Sequence, residues 1–568
     1  MQIRPFLKTL TFATLGLGLA APAVQSQGVA GSYLAARHAS LFSDYRAAAD
    51  YFARAIVADP GNAALMENAV MAYLGLGQVD KAVAVSRRLM SLGTSSQVAN
   101  MALMADSIKR ENFEGLLADL DAGQSVGPLV DGLLRAWSQL GMGQMSEALE
   151  SFDDVAGTQG IEVFGLYHKA MALALVGDFE GADAILSGRA DGALQLTRRG
   201  IVMFAQILSQ LERNEDALEL IEKSFGTELD PVLTLMRHDL TAGKVLTFDA
   251  IRNAKDGAAE VFLVVAGALN GEAADGFTLL YSRVAEFLRP DHVDAILLSA
   301  SLLEKLERFE LATDSYNRVP RDHPSFDAAE MGRADTLRKS GRTEAAIEVL
   351  QQLARARPTN ANVFITLGDA LRELERYGEA AEAYDAAVAL YDAPGQSEWI
   401  VFFARGITFE RTDRWDLAEA DFRRALELNP GQPQVLNYLG YSFVEMGKNM
   451  DEALSMIQEA VAGQPNSGYI VDSLGWVQFR MGQFGDAVGN LERATELMPV
   501  DPVVNDHLGD AYWAVGRKIE AEFQWKRALS FDPDEKDADR IRRKLDVGLD
   551  VVREEEGEPP IAVTAQDG

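Results

Sequence analysis

The chain has 568 residues, with 53 Lys and Arg against 85 Asp and Glu, a net charge of −32, and no cysteine. The lack of cysteine excludes a disulfide framework, a Cys-ligated zinc or iron–sulfur centre and a thiol nucleophile, and so large a negative charge repels nucleic-acid phosphates and anionic lipid headgroups. Hydrophobic residues make up 48% of the chain and prolines number only 18, so it is expected to bury a large core and to be folded almost throughout.

The first 26 residues place Arg4 and Lys8 ahead of an apolar stretch from Leu10 to Leu19, followed by small residues. This is the pattern of a secretory signal peptide, with cleavage expected after Ala23 or Ser26. The apolar run is too short and too Gly-broken for a good membrane span, and no later run reaches about 18 apolar residues, so no stable membrane insertion is expected. A lipoprotein needs a cysteine at the cut. The mature chain is therefore expected in the periplasm, in soluble form.

Downstream of this leader the sequence repeats itself. Small residues recur at Ala300, Ala334, Gly368, Gly406, Gly440, Gly475 and Gly509, at intervals of 34, 34, 38, 34, 35 and 34 residues. A second small residue follows each of them at Ala312, Ala346, Ala380, Ala418, Ala453, Ala487 and Ala521. Four positions later stands Tyr316, Leu350, Tyr384, Phe422, Ile457, Leu491 or Trp525, and each unit closes on a proline between Pro324 and Pro533. In each half-unit apolar residues fall at i, i+3, i+4 and i+7, as in Leu436, Leu439, Gly440 and Phe443, which line one stripe of a helix. The small residues lie where two helices of a hairpin approach most closely, and the proline ends the second helix.

This pattern, above all NYLGYSF with Ala453 and HLGDAYW with Ala521, Trp525 and Pro533, resembles the tetratricopeptide repeat. The resemblance implies an all-α fold, a right-handed superhelix or α-solenoid of about fourteen helical hairpins. The amino-terminal array, residues 27–230, is degenerate but in register, with Ala36, Ala48, Phe52 and Pro60 in its first unit. Residues 231–292 blur into a degenerate helical connector, read as two hairpins and a flexure. The clear array spans 293–535, a capping helix is expected over 536–552, and the acidic, proline-paired stretch 553–568 reads as a disordered tail.

Catalytic constellations are missing from the sequence. Its six histidines are too far apart for a helical zinc pair, and neither a G-x4-G-K-[ST] phosphate loop nor a G-x-S-x-G elbow occurs. Gly75 with Gly77 and Gly141 with Gly143 read as hairpin turns rather than phosphate loops. The repeats leave no block of about 150 residues for a separate catalytic domain, so no catalytic residue, metal site or cofactor is expected.

In the tetratricopeptide family the first helix of each unit lines the concave face. The resemblance therefore implies a protein-binding groove at Phe403, Asn437, Tyr441, Tyr469, Asp472, Trp476, Phe479, Asp506, Asp510 and Trp513. These rings are placed either to anchor a partner or to pack between adjacent first helices. The Lys and Arg clamp with which cochaperones of this fold hold a terminal carboxylate is missing. Residues 430–545 further resemble long periplasmic tetratricopeptide proteins of Gram-negative bacteria, among them an adaptor that presents peptidoglycan hydrolases to a carboxy-terminal processing protease. The resemblance implies a non-enzymatic scaffold with protein partners of that kind. An assembly factor for a pilus or an exopolysaccharide secretion machine is the alternative.

Overall fold

The computed structural model describes residues 29–189, 194–226, 229–558 and 561, and the expected leader lies outside them. Among these residues the protein is all-α, with thirty-one α-helices, one turn of 3-10 helix at Gln396–Glu398 and no strand. None of the helices is long and apolar enough to cross a membrane. The chain divides into two compact units between Thr336 and Leu337.

The first unit begins with six hairpins: α1 (Val29–Leu41) with α2 (Tyr45–Ala58), α3 (Ala63–Gly75) with α4 (Val79–Ser91), α5 (Gln97–Lys109) with α6 (Phe113–Asp121), α7 (Pro128–Gly141) with α8 (Met145–Ala156), α9 (Glu162–Leu175) with α10 (Phe179–Leu186), and α11 (Arg198–Gln210) with α12 (Asn214–Phe225). It continues through α13 (Pro231–Thr241), α14 (Ala254–Leu269), α15 (Asp275–Leu288), α16 (Val293–Lys305) and α17 (Phe309–Tyr316) into α18 (Phe326–Lys339). The second unit contains α19 (Thr343–Ala356), α20 (Ala361–Glu373), α21 (Tyr377–Val388), α22 (Trp399–Glu410), α23 (Trp415–Leu428), α24 (Pro433–Met446), α25 (Met450–Gly463), α26 (Gly468–Arg480), α27 (Phe484–Leu497), α28 (Pro502–Ala514), α29 (Lys518–Leu529), α30 (Glu535–Val547) and α31 (Leu549–Glu555).

Local chemistry sets these boundaries. The Asn62 side chain accepts the Leu65 N–H to start α3, and Asp501 accepts from Val503 and Val504 to start α28, with Pro502 in the first helical position where no N–H is needed. The turn inside a hairpin requires a residue with positive φ. Gly77 (71°) and Gly143 (78°) fill it at no steric cost, as the sequence predicts, whereas Gly75 and Gly141 are the last residues of α3 and α7, where a methyl group would come within 2.5 Å of Tyr45 and Phe113. Glu111, Glu212, Glu307 and Glu375 adopt the same conformation elsewhere, at a cost of about 1–2 kcal/mol each that packing on either side of the turn must offset.

The small residues of the repeat sit where one helix's backbone meets a large side chain of its partner. A methyl group at Gly368 would lie 2.6 Å from Tyr384, at Gly406 2.6 Å from Phe422, at Gly440 2.8 Å from Ile457, at Gly475 2.5 Å from Leu491 and at Gly509 2.4 Å from Trp525. In every case the partner is the aromatic or aliphatic residue that the periodicity marks sixteen or seventeen positions downstream. Tyr384, Phe422, Ile457, Leu491 and Trp525 are all fully buried.

The connector differs from the expected two hairpins and flexure. It consists of α13, an irregular stretch, and a single hairpin of α14 with α15, and that hairpin folds back into the first unit. Ala258, Ala259, Val261, Phe262 and Ala266 of α14 are buried, and Gly257 lies so close on the Trp137 indole that a methyl group there would come within 2.3 Å. On α15, Arg283 Nε donates to the Gly75 carbonyl at 3.4 Å, and Lys109 Nζ donates to the Phe287 carbonyl at 2.7 Å. A buried polar network fixes α14 laterally: Glu260 accepts from the Tyr167 hydroxyl at 2.9 Å and from Arg199 Nε at 2.8 Å, with His292 Nε2 at 3.5 Å. Burial alone would raise the Glu260 carboxyl, but the Arg199 guanidinium outweighs it and holds the group below its usual range. A segment without clear repeat spacing is thus a central packing element, because its apolar residues cover the helix almost all round.

At the carboxy terminus the single capping helix expected over 536–552 is two helices, α30 and α31, broken at Gly548. The chain stays helical to Glu555, inside the stretch whose composition predicts a tail, because Arg543 binds Glu555 at 2.6 Å and Arg540 binds Glu556 at 2.8 Å.

Gly475→Leu should destabilise the protein by about 1–3 kcal/mol in urea unfolding, since Leu491 and the Ala487 carbonyl leave no space for a side chain. A second expectation concerns pH. His168 is completely buried with Nδ1 accepting from Trp137 Nε1 at 3.2 Å, and burial pushes its pKa down from 6.5 to about 4. Below the unfolded pKa the unfolded chain takes up a proton that the folded chain refuses, so this contribution is complete above pH 6.5 and lost as pH falls towards 4. Between pH values of about 6 and 5 the slope from this group should be about 1 kcal/mol per unit. His168→Gln should remove that slope from the unfolding free energy, measured by urea titration at each pH.

Candidate functional site

The sequence places its groove on the first helices of the second unit, and the structure separates those residues into three environments. Four of them come together. Asn437 and Tyr441 of α24 and Tyr469 and Asp472 of α26 line one cavity of about 480 Å³ with Glu410, Arg411, Trp415, Tyr438, Glu445, Asp501 and Val503. Phe403 lies on an adjoining cavity of about 890 Å³ with Ile365, Trp399, Ile407 and Gln434, and its ring meets Tyr438 edge-on at 5.7 Å. Between them the two cavities are lined by residues of α20, α22, α24, α26 and α28.

Trp476 and Phe479 take the packing role, one of the two that the sequence allows. They are 8% and 3% exposed, their rings stack at 5.1 Å, and Trp476 stacks on His507 of the next first helix at 4.0 Å. The Trp476–His507 stack is a contact between adjacent repeats, whereas Trp476 and Phe479 meet within α26. The indole Nε1 donates to Glu445 at 2.9 Å, so Trp476 supports the cavity wall from behind. Asp472 reaches the cavity while also bonding His507 Nδ1 at 3.0 Å. Burial would lower the His507 imidazole, but the Asp472 carboxylate, helped by Asp506 and Asp510, raises it above its usual value.

Asp506, Asp510 and Trp513 are a correction, since the chain's own carboxy-terminal helices cover them. Lys544 of α30, wholly buried, donates to Asp506 at 2.7 Å and to Asp510 at 2.7 Å, and Trp525 Nε1 donates to Asp510 at 2.9 Å. Trp513 lies against Gly548, and its Nε1 donates to Asp550 at 2.9 Å. The basic cluster Arg540, Arg542, Arg543 and Lys544 of α30 is divided. Lys544 and Arg540 face the aspartates, while Arg542 and Arg543 stay at the surface.

Trp415, Tyr438, Glu410 and Glu445 are cavity residues that sequence reasoning missed. Tyr438 and Glu445 flank the Asn437–Tyr441 stripe by one and four positions, so a broader stripe would have included them. Trp415 comes from a second helix, which the first-helix rule omits. Burial, with the Glu410 carboxylate, pushes the Tyr438 phenol up to about 12, and burial with Glu445 and Asp472 pushes Tyr441 up as well. Lys544→Met should cost about 3–5 kcal/mol in urea unfolding, because two buried carboxylates lose their close cation and keep only the more distant Arg540, 3.6 Å from Asp510. The same change at exposed Lys526 should stay within about 0.5 kcal/mol.

Comparison with known proteins supports the repeat assignment. The tetratricopeptide repeat model matches residues 33–91, 297–361, 331–398 and 403–468. A TPR repeat-containing protein of Pseudomonas aeruginosa is 26% identical over 210 residues, covering 37% of this chain and 35% of that protein. Aspartyl/asparaginyl beta-hydroxylase of Mus musculus is 27% identical over 202 residues, 34% of this chain and 27% of that protein. The chain thus spans about a third or less of these curated relatives. Among solved structures, Cut9 with Hcn1 from the APC/C hetero-tetramer aligns over 92% of this chain and 97% of that one, at 15% identity and a TM-score of 0.37. YrrB, titled a TPR protein with an unusual peptide-binding site, aligns over 35% of this chain and 99% of its own, at 19% identity and a TM-score of 0.29. Four stretches of the chain, together less than half of its length, are thus similar to the tetratricopeptide repeat.

Proposed function

We propose that this protein is a non-enzymatic, exported adaptor that holds protein partners along the inner face of its second unit. In this reading it brings peptidoglycan hydrolases to a carboxy-terminal processing protease. The observation that carries the binding reading is the contrast between covered and open first helices. In the second unit α30 and α31 cover α28 beyond its first turn, whereas α20 to α26 and that first turn line two cavities with exposed apolar rims at Ile400, Tyr469 and Val503. Aromatic walls with a few polar groups are what peptide anchoring requires. The protease and hydrolase assignment rests on the likeness of residues 430–545 to periplasmic adaptors, and export rests on Arg4, Lys8 and the Leu10–Leu19 run.

A photo-crosslinking residue placed at Tyr469 in cells should trap protein partners in the periplasmic fraction. The same residue at Phe523, exposed on a second helix, should not. A processing protease or a cell-wall hydrolase among the trapped proteins supports the pathway, whereas components of a pilus or polymer-export machine favour the assembly alternative. Equal trapping at both positions, or trapping only at Phe523, overturns the inner face as the binding surface.

A further inference from the structure

We infer that the cavity between α24 and α26 takes the cationic side chain of a partner peptide, a lysine or an arginine, with the peptide backbone running over Asn437. The inference rests on the reading of this face as a protein-binding groove and adds the chemical class of its anchor.

The charges in the cavity are not balanced. Glu410, Glu445, Asp472 and Asp501 contribute carboxylates to the lining, against a single guanidinium from Arg411. Arg411 lies 3.6 Å from Glu410, and His507 bonds Asp472 at 3.0 Å, so two of the four have a basic neighbour. Glu445 and Asp501 differ, because their donors are neutral. Glu445 accepts from the Trp476 indole at 2.9 Å, and Asp501 accepts from the backbone N–H groups of Val503 and Val504 at 2.9 and 3.0 Å. Neutral donors orient a carboxylate and leave its charge in place.

An independent observation points to a ligand in the same space. Asn437 lines the cavity, is only 8% exposed, and its buried Oδ1 has no hydrogen-bond partner within the protein. An acceptor so placed costs free energy unless a donor reaches it, and an extended peptide offers a backbone N–H every second residue on one side. The walls complete the fit. Trp415, Tyr438, Tyr441 and Tyr469 present aromatic surface beside the carboxylates, which suits the apolar stem of a long side chain and attracts its charged head. An acidic or wholly apolar anchor would leave Glu445 and Asp501 facing a like charge or no charge.

The test uses the full chain and N-acetylated, C-amidated decapeptide pools of mixed Gly, Ala, Ser and Val, each with one fixed central residue, read by fluorescence anisotropy. The pools centred on Lys or Arg should bind about tenfold more tightly than those centred on Leu or Glu, and the difference should shrink between about 50 and about 500 mM salt. The variant Glu445→Gln with Asp501→Asn keeps an acceptor for the Trp476 indole and a cap for α28 while removing two charges. It should lose most of the Lys and Arg preference with an unchanged melting temperature. Equal binding of all pools, weakened by Tyr469→Ala, would overturn the cationic anchor and leave the groove reading intact. A Lys preference unaffected by the double variant, or no binding of the Lys and Arg pools up to about 1 mM, would also overturn it, while the crosslinking at Tyr469 decides the groove reading separately.

Discussion

The close approach of backbone to side chain at Gly368, Gly406, Gly440, Gly475 and Gly509 is the contact on which the second unit depends. Each glycine lets Tyr384, Phe422, Ile457, Leu491 or Trp525 of the second helix lie directly on the first, with less space than a Cβ needs. That contact sets the spacing and rotation of the two helices, and therefore decides which stripe of the first helix turns away from its partner. The stripe left over is the inner face. Asn437 and Tyr441 lie on it because Gly440 between them faces Ile457.

In each unit the chain covers part of the surface that its own first helices form. In the first unit α14 and α15 do so, held by Gly257 against Trp137 and by the buried Arg199–Glu260 pair. In the second, α30 reaches Asp506 and Asp510 through Lys544, whose ammonium is fully desolvated and satisfied by the two carboxylates. Buried pairs of this kind contribute little net stability compared with apolar residues of the same volume, but they fix one docking geometry, since any other leaves a charge unpaired. In the second unit the open surface is narrowed to α20 through α26 and the first turn of α28.

Within that surface the division of aromatic residues has a simple cause. Trp476 is long enough to cross to His507 on the next first helix, so it buries itself there, while Tyr441 and Tyr469 keep a hydroxyl end towards the cavity. Of the residues that the repeat positions select, those that reach the open cavities are Phe403 and the two polar and two phenolic ones, Asn437, Asp472, Tyr441 and Tyr469. Trp476, Phe479 and Trp513 serve contacts between repeats or with the cap.

The sequence by itself determined the hairpins, their turns and the tight contacts inside them. Those features are local: the small residue and the large one that covers it lie within one 34-residue unit, and their spacing follows from 3.6 residues per turn. Only the tertiary structure decided which first helices stay open. Gly257 meets Trp137 across 120 residues of chain, away from any repeated position, and Lys544 meets Asp510 one period further on, where the equivalent position no longer faces an open cavity. The periodicity marks the faces that are apolar or small but carries no information on which distant helix will cover them, because that choice is made by shape and charge once the solenoid has formed.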